Sequence, residues 1–276
     1  MVGIMTRTDP VVSVVVCTRN RSTALAGALE ALLQVDYDPA WWDLLIVDNA
    51  STDDTADGAR SVAERDPDRI RVMVEPEIGR SAARNAGIAA TAAGIVAFID
   101  DDAYPEPDWL AATVEGFRRP EVMCVGGPVA PLLEGELPPW FRGRFLPYLT
   151  VWDLGPDPVE LRYNEYPRGA NMAFRRSGLD RVGGFSVHLG RKGASLLSCE
   201  ETELCLRLER AGFATRYQPG ARVRHLTPVG RITPAWLHAR FAAQGRSEAI
   251  VNWMHGGLAG LRTGLRTTCL LYTSDA

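Results

Sequence analysis

The stretch VAFIDDDAYPEPDW, residues 96–109, drives an apolar segment into three consecutive aspartates, Asp100, Asp101 and Asp102. Aspartate is a poor strand residue, and carboxylates at a strand tip cost free energy unless something positive neutralises them. Capping by Asp102 or Asp108 of the helix expected from Pro107 accounts for one of the three. A hard divalent cation accounts for more, since Mg²⁺ or Mn²⁺ takes oxygen ligands from one or two carboxylates and the rest from phosphates. On an extended segment Asp100 and Asp102 point one way and Asp101 the other. Asp-x-Asp then presents two carboxylates to one nucleotide–metal complex. Two further strand-like runs end in polar tips, CTRNR at 17–21 and VDNASTD at 47–53.

The elements that must carry these tips alternate regularly. VVSVVVC (11–17), WDLLIVD (42–48), IRVMVE (70–75), GIVAFID (94–100) and EVMCVGG (121–127) read as strands. Between them STALAGALEALLQ (22–34), TDDTADGARSVAER (52–65), SAARNAGIAATA (81–92) and PDWLAATVEGFRR (107–119) read as helices, the second opened by a Ser51-x-x-Asp54 cap pattern. Strand and helix alternating at this spacing imply an α/β fold with a mostly parallel sheet covered on both faces. Ligands of such sheets sit beyond the carboxyl ends of the strands, where the polar tips fall. The first turn, Thr18-Arg19-Asn20-Arg21, has no GxGxxG, which argues against a dinucleotide-dependent dehydrogenase.

The second half has a different texture. Residues 128–168 are rich in Pro, Trp and Tyr and read as a substrate-facing insertion. YPRGANMAFRR (166–176) reads as strand or turn, SGLDRVGGF (177–185) as a short helix, and SCEETELCLRLERAG (198–212) as a clear helix ended by Gly212. TRYQPGARVRHL (215–226) holds one or two strands, and TPAWLHARFAAQGRSEAIVNWM (233–254) one or two helices.

The chain of 276 residues is 46% hydrophobic and 23% charged, with a formal net charge of −4. That balance fits a soluble globular protein and gives no argument for nucleic acid. Five cysteines, at 17, 124, 199, 205 and 269, form no CxxC pair and read as reduced cytosolic thiols. The N-terminus has no apolar signal region, and no run reaches the roughly 18 apolar residues of a spanning helix. A cytoplasmic protein is expected, compatible with one lying against the inner face of a membrane. CLLYTSDA (269–276) breaks the character of the preceding stretch and reads as translated sequencing adapter, so the natural chain is expected to continue past residue 268.

The order VSVVVCTRNR, IVDNASTDDT, GRSAARNAGIAATAAGIVAFIDDDAYPEPDWL, GANMAFRR, GGF and EETELCLRL resembles the family 2 glycosyltransferases of GT-A fold, over roughly residues 11–228. The segments LLSCEETELCLRL and TPAWLHARFAAQGRSEA are similar to bacterial members that build envelope or exopolysaccharide glycans. The resemblance implies a Rossmann-like GT-A catalytic domain at 8–228 and a helical segment at 229–268. It implies transfer of a hexosyl-type sugar, with inversion, from a nucleotide-diphosphate sugar to a glycan or lipid-linked acceptor, assisted by Mn²⁺ or Mg²⁺.

Carried onto these residues, the resemblance puts Thr18 and Arg19 in the nucleotide pocket and Asp48 on the donor's base. It puts Arg84 and Asn85 near the sugar and diphosphate, and Asn171 of GANMAFRR at the donor and acceptor. Asp100 and Asp102 match the DxD motif, the first toward the ribose and the second to the metal, with His225 as a further metal ligand. Asp101 is left between a donor contact and a cap. From the residues alone, Asp48 also reads as a turn residue, Arg84 and Asn85 as a solvated helix face, and His225 as a packed histidine.

Inversion needs a carboxylate that takes the acceptor's proton as it attacks. Glu201 stands where the family's GEDxDL-like motif has its aspartate, with Glu200 in reserve. Ser198-x-x-Glu201 is also a capping box. Glu201 nevertheless shares a helical face with Leu204, Cys205 and Leu208, and a helix N-terminus favours its ionised form. A sugar nucleotidyltransferase is disfavoured because its glycine-rich loop is absent after the first strand. A catalytically silent nucleotide- or glycan-binding homologue stays open, because glutamate replaces aspartate at the base position.

Overall fold

The computed structural model describes residues 11–163 and 165–273, with side chains described as far as residue 257. The expected domain start at residue 8 lies outside the described residues, as do the side chains of the segment 269–276. No helix among the described residues is long and apolar enough to cross a membrane.

In chain order the first strands are β1 (Val12–Thr18), β2 (Trp42–Asp48), β3 (Ile70–Val74), β4 (Ile95–Asp100), β5 (Ala103–Pro105), β6 (Val122–Gly126) and β7 (Val129–Leu133). They are followed by β8 (Val159–Leu161), β9 (Asn171–Arg175), β10 (Ala214–Tyr217) and β11 (Val223–Thr227). Eight of them form one sheet in the order β3-β2-β1-β4-β9-β6-β10-β8. The first four run parallel, β9 is antiparallel to both β4 and β6, and β10 returns parallel to β6. A small second sheet, β5-β11-β7, stands at the carboxyl end of β4.

The helices are α1 (Ser22–Leu32), α2 (Thr55–Ala63), α3 (Arg80–Ala89), α4 (Trp109–Glu115), α5 (Arg176–Val182), α6 (Glu200–Arg210) and α7 (Pro234–Thr273). Because β1 is covered on both faces, its valines read as a continuous run yet divide by parity. Val12, Val14 and Val16 pack with Leu25, Leu29 and Leu32 of α1. Val15 faces the other side, with Ala83 of α3, Phe98 and Phe185. A Cβ on Gly87 would lie 2.6 Å from Val15 Cγ1, so this glycine lets α3 lie close across β1. That approach sets Arg84 and Arg80, one turn and two turns earlier, over the strand tips.

The expected cap of α2 is not formed. Asp53 accepts from Thr55 N (3.1 Å), while Ser51 Oγ accepts from Asn20 N at 3.0 Å and so binds the β1 tip to the β2 tip. The segment 233–254 is one helix, continuous to a break at Gly257 (φ 53). Its Leu237 and Phe241 pack on Phe141, Phe145 and Leu149 of the insertion, and this third apolar cluster fixes α7 against the main body.

Gly127, between β6 and β7, is where the two sheets meet. A Cβ there would stand 1.9 Å from the Ala221 carbonyl oxygen, a backbone atom that cannot swing aside. Gly127→Ala is therefore expected to destabilise by about 1–3 kcal/mol or more, read as a lower urea midpoint. Gly58→Ala, in the interior of α2 with nothing within 4 Å of the added Cβ, is expected to stabilise by about 0.5–1 kcal/mol.

Candidate functional site

Register brings the three polar tips abreast. In the ladders Thr18 pairs with Asp48 and Cys17 with Asp100, so β2, β1 and β4 end side by side. β4 stops at Asp100, and a turn at 101–102 carries the chain into β5. The three aspartates therefore diverge because of a turn, not because of strand alternation. Asp101 accepts from Thr18 Oγ1 at 2.7 Å. Asp102 reaches the second sheet, with one carboxylate oxygen 3.1 Å from His225 Nε2 and its backbone oxygen accepting from Leu226 N. Pairing of His225 opposite Ala103 puts the imidazole there. Asp100, Asp102 and His225 each offer one ligand atom, and the three atoms lie within 4.8 Å of one another. Two carboxylates with an imidazole, whose buried Nδ1 has no partner among the described residues, are a donor set that fits Mn²⁺ or Mg²⁺.

Arginines surround the acids. Arg21 pairs with Asp102 and lies 3.8 Å from Asp101, Arg231 is 3.5 Å from Asp102, and Arg80 is 3.4 Å from Asp100. Burial works against a charged Asp102, but its hydrogen bond and attraction to His225, with Arg21 and Arg231, hold its carboxyl well below the usual range. Asp100 is likewise held low, Arg80 and Arg84 outweighing burial. Burial and the neighbouring Asp102 instead push Asp101 up to about 6. Of these arginines the sequence reading singled out only Arg84. Arg80 was legible, sitting four residues before Arg84 on the same helical face. Arg21 and Arg231 carried no such signal.

Arg84 is 2% exposed, so the solvated-face alternative fails. Its Nη1 donates to Glu200 Oε1 (2.9 Å), and its Nη2 to Asp100 Oδ1 (3.2 Å) and the Gly169 carbonyl (2.8 Å). This one guanidinium ties the β4 tip to the start of α6. The residue before that helix, Cys199, adopts a left-handed backbone (φ 68) that costs a non-glycine residue about 1–2 kcal/mol. The capping box does not form, because Ser198 N donates to Ser247 Oγ at 3.0 Å and leaves Glu201 free of it. Glu200 and Glu201 both line a cavity of about 920 Å³ that also reaches Asp100 and Arg80 and is closed on one side by α7. Burial, then the adjacent Glu200 charge, push Glu201 up to about 7, overriding the effect expected of the helix N-terminus.

The amides of Asn171 and Asn85, both expected at the donor, are engaged within the protein. Asn171 is buried, its Oδ1 accepting from Trp109 Nε1 (2.9 Å) and its Nδ2 donating to the carbonyls of Pro128 (3.2 Å) and Ala221 (2.7 Å). Its amide is consumed in joining β9 to the inter-sheet corner. Asn85 accepts from Phe185 N and donates to Phe185 O, both at 2.8 Å, and so clamps a loop. Arg19 lies at the tip, donating to the Asn49 carbonyl at 2.9 Å. Asp48 is buried beside it, accepting weakly from Ser51 N at 3.3 Å as its turn reading required.

Residues 13–183 match the family described as glycosyl transferase family 2. The chain is 30% identical over 272 residues to a glucosyl-dolichyl phosphate glucuronosyltransferase of Haloferax volcanii, covering 96% of this chain and 85% of that protein. It is 28% identical over 269 residues to the succinoglycan biosynthesis protein ExoM of Rhizobium meliloti, covering 92% and 82%. Among solved structures it is similar to a mannosyltransferase from Pyrobaculum calidifontis in complex with GDP-Man and Mn²⁺. The TM-score is 0.61 at 20% identity, covering 98% of this chain and 77% of that one. This likeness carries the fold, a GT-A architecture.

The bridge through Arg84 yields a stability test. Arg84→Met leaves Glu200, Asp100 and the Gly169 carbonyl without their shared donor in a buried setting. Removing one partner of such a network is expected to cost about 3–5 kcal/mol in denaturant unfolding.

Proposed function

The chain belongs to glycosyl transferase family 2 and is a glycosyltransferase, and on that premise we propose an inverting, metal-assisted transfer from a nucleotide-diphosphate sugar to an acceptor hydroxyl. The observation that carries the reading is the cavity shared by Asp100 and Glu201, whose walls are coupled through Arg84 and Glu200. The catalytic unit is 8–228, with 229–268 contributing through α7 the wall opposite Glu201. The donor is of hexosyl type, and the acceptor is a glycan or lipid-linked sugar of envelope or exopolysaccharide synthesis. The names of the Haloferax and Rhizobium relatives support that choice.

In this reading Thr18, Arg19 and Asp48 border the nucleoside, and Asp100 and Asp101 its ribose and sugar. Asp100, Asp102 and His225 would hold Mn²⁺ or Mg²⁺, which when bound supplies positive charge to the diphosphate as it leaves. Arg80 lends further positive charge to the same oxygens. Glu201 takes the proton from the acceptor hydroxyl as its oxygen bonds to the anomeric carbon. The bond from that carbon to the diphosphate breaks on the opposite face, and the nucleoside diphosphate departs. Glu200, held by Arg84, raises the basicity of Glu201. A base poised near neutrality combines the deprotonated state with a useful affinity for the proton.

Thermal shifts with UDP-, GDP- and dTDP-sugars, with Mn²⁺ and with EDTA, test the reading. One nucleotide is expected to stabilise the protein in the presence of Mn²⁺ and lose that effect on chelation; a uniform lack of response would sink it. Glu201→Gln is expected to lower turnover by about 10²–10⁴-fold while nucleotide binding persists. Turnover of the wild type is expected to rise with pH through about 7, since the base acts deprotonated. The folded state holds this proton more tightly than the unfolded chain does, so the Glu201 contribution to stability falls as pH rises from the ordinary glutamate range toward 7. Glu201→Gln should therefore melt higher than wild type at pH 8, with the difference vanishing near pH 4.

A further inference from the structure

Beyond the carboxylates, the cavity holds an excess of positive charge that the reaction as described does not use. Arg168, Arg191 and Arg240 all line it, and among the described residues none of the three forms an ion pair. Of the acids that line the cavity, Asp100 is paired with Arg80 and Arg84 and Glu200 with Arg84, Glu248 accepts from Gln244 Nε2 at 2.9 Å, and Glu201 acts on Arg168 without an ion pair to it. Arg240 is held on α7 by its Nη2, which donates to Ser198 Oγ at 3.2 Å and Gln244 Oε1 at 2.9 Å. Its Nη1 is buried with no partner, and so is Nε of Arg168. A buried guanidinium N–H left without an acceptor is costly, and the planar N–H array of the group matches carboxylate and phosphate oxygens.

Neighbours sort the three arginines. Arg191 belongs with the donor side, since its carbonyl accepts from Arg80 N at 2.9 Å; burial, then Arg80, Arg231 and Arg240, lower its guanidinium to about 9. Arg168 and Arg240 lie on the other side. Burial also lowers Arg168, and the charges acting on it come from Glu201 and Arg240 rather than from the aspartate cluster. Around them stand Tyr148, Tyr163 and Tyr166, with Leu197 and Val251, a wall suited to the flat apolar faces of a sugar. We propose that Arg168 and Arg240 form an anion subsite on the acceptor side of Glu201, taking a phosphate or carboxylate borne by the acceptor sugar. The inference rests on the reading of Glu201 as base. It gives the acceptor a chemical class: a glycosyl phosphate or a uronic acid, not a neutral sugar.

Calorimetry distinguishes the sources. The protein is saturated with Mn²⁺ and whichever of UDP, GDP or dTDP gives the largest Mn²⁺-dependent thermal shift, which keeps the probes off the donor side. Glucose 1-phosphate, methyl glucuronide and methyl glucoside are then titrated separately. One charged probe is expected to bind at least about tenfold more tightly than the neutral glucoside, and which of the two does so identifies phosphate or carboxylate. In R168Q/R240Q the preference is expected to collapse, while R168K/R240K, which keeps the charge, retains part of it. Equal affinity for charged and neutral probes in the wild type, or no binding by any of them, overturns the subsite, and this comparison stands even where the glutamine variant fails to fold. A preference undiminished in R168Q/R240Q overturns it as well. Absence of any nucleotide shift is a different result, since it removes the catalytic reading and the subsite with it.

Discussion

The molecule is organised around a desolvated positive charge. Arg84 sits between Glu200 and Asp100, capped by the Gly169 carbonyl, with its guanidinium 5.9 and 5.4 Å from the ring centroids of Phe98 and Phe185. A guanidinium this buried is tolerable only when its donors are met, so each partner is fixed in place by the others. Small residues make the room. Gly87 admits α3 onto β1, and a Cβ on Gly169 would stand 2.9 Å from Arg84 Nη2. Gly190 does the same for Glu200, since a Cβ there would meet Ser81 Oγ at 2.9 Å and the Glu200 carboxyl at 3.3 Å. The distance between the aspartate turn and the start of α6 is thus set by a network rather than by either element.

Neighbouring carboxylates are driven apart by their surroundings. Asp100 and Asp102 face arginines and a histidine and are held low, whereas burial and the adjacent Asp102 push Asp101 toward protonation against the opposing effects of Arg21 and its hydrogen bond from Thr18. Glu200 and Glu201, also adjacent, differ in the same way: one is paired with Arg84, and the other faces the cavity with a raised proton affinity. In each case one group is tied to arginine and its neighbour has a raised affinity for the proton.

The helix α7 extends this logic beyond the sheet. Its apolar residues are anchored on the insertion, and its polar residues, Arg240 and Gln244, are then held over Ser198 and Cys199 at the mouth of α6. The Pro-, Trp- and Tyr-rich stretch in part lines the cavity, through Tyr148, Tyr163 and Tyr166, and in part serves as the platform for α7.

Much of this was legible before any coordinates. Apolar runs of fixed length, separated by helical spacing, determine a mostly parallel sheet, and polar residues at strand ends determine where a site must be, because both are local consequences of backbone periodicity. The type of residue at Asp100, Asp102 and Glu201 likewise determined the chemistry on offer. What a side chain does with its hydrogen bonds was decided only by the tertiary structure. Asn171 and Asn85 occupy the expected segments but spend their amides on groups distant in sequence, the Trp109 indole and backbone atoms of Ala221 and Phe185. The helix dipole expected to ionise Glu201 yields to the adjacent Glu200 and above all to burial, which exists only once α6 is packed. Charge balance is a property of neighbours in space: Arg21, Arg231 and Arg240 come from separate parts of the chain, and no spacing along the sequence announces that they converge.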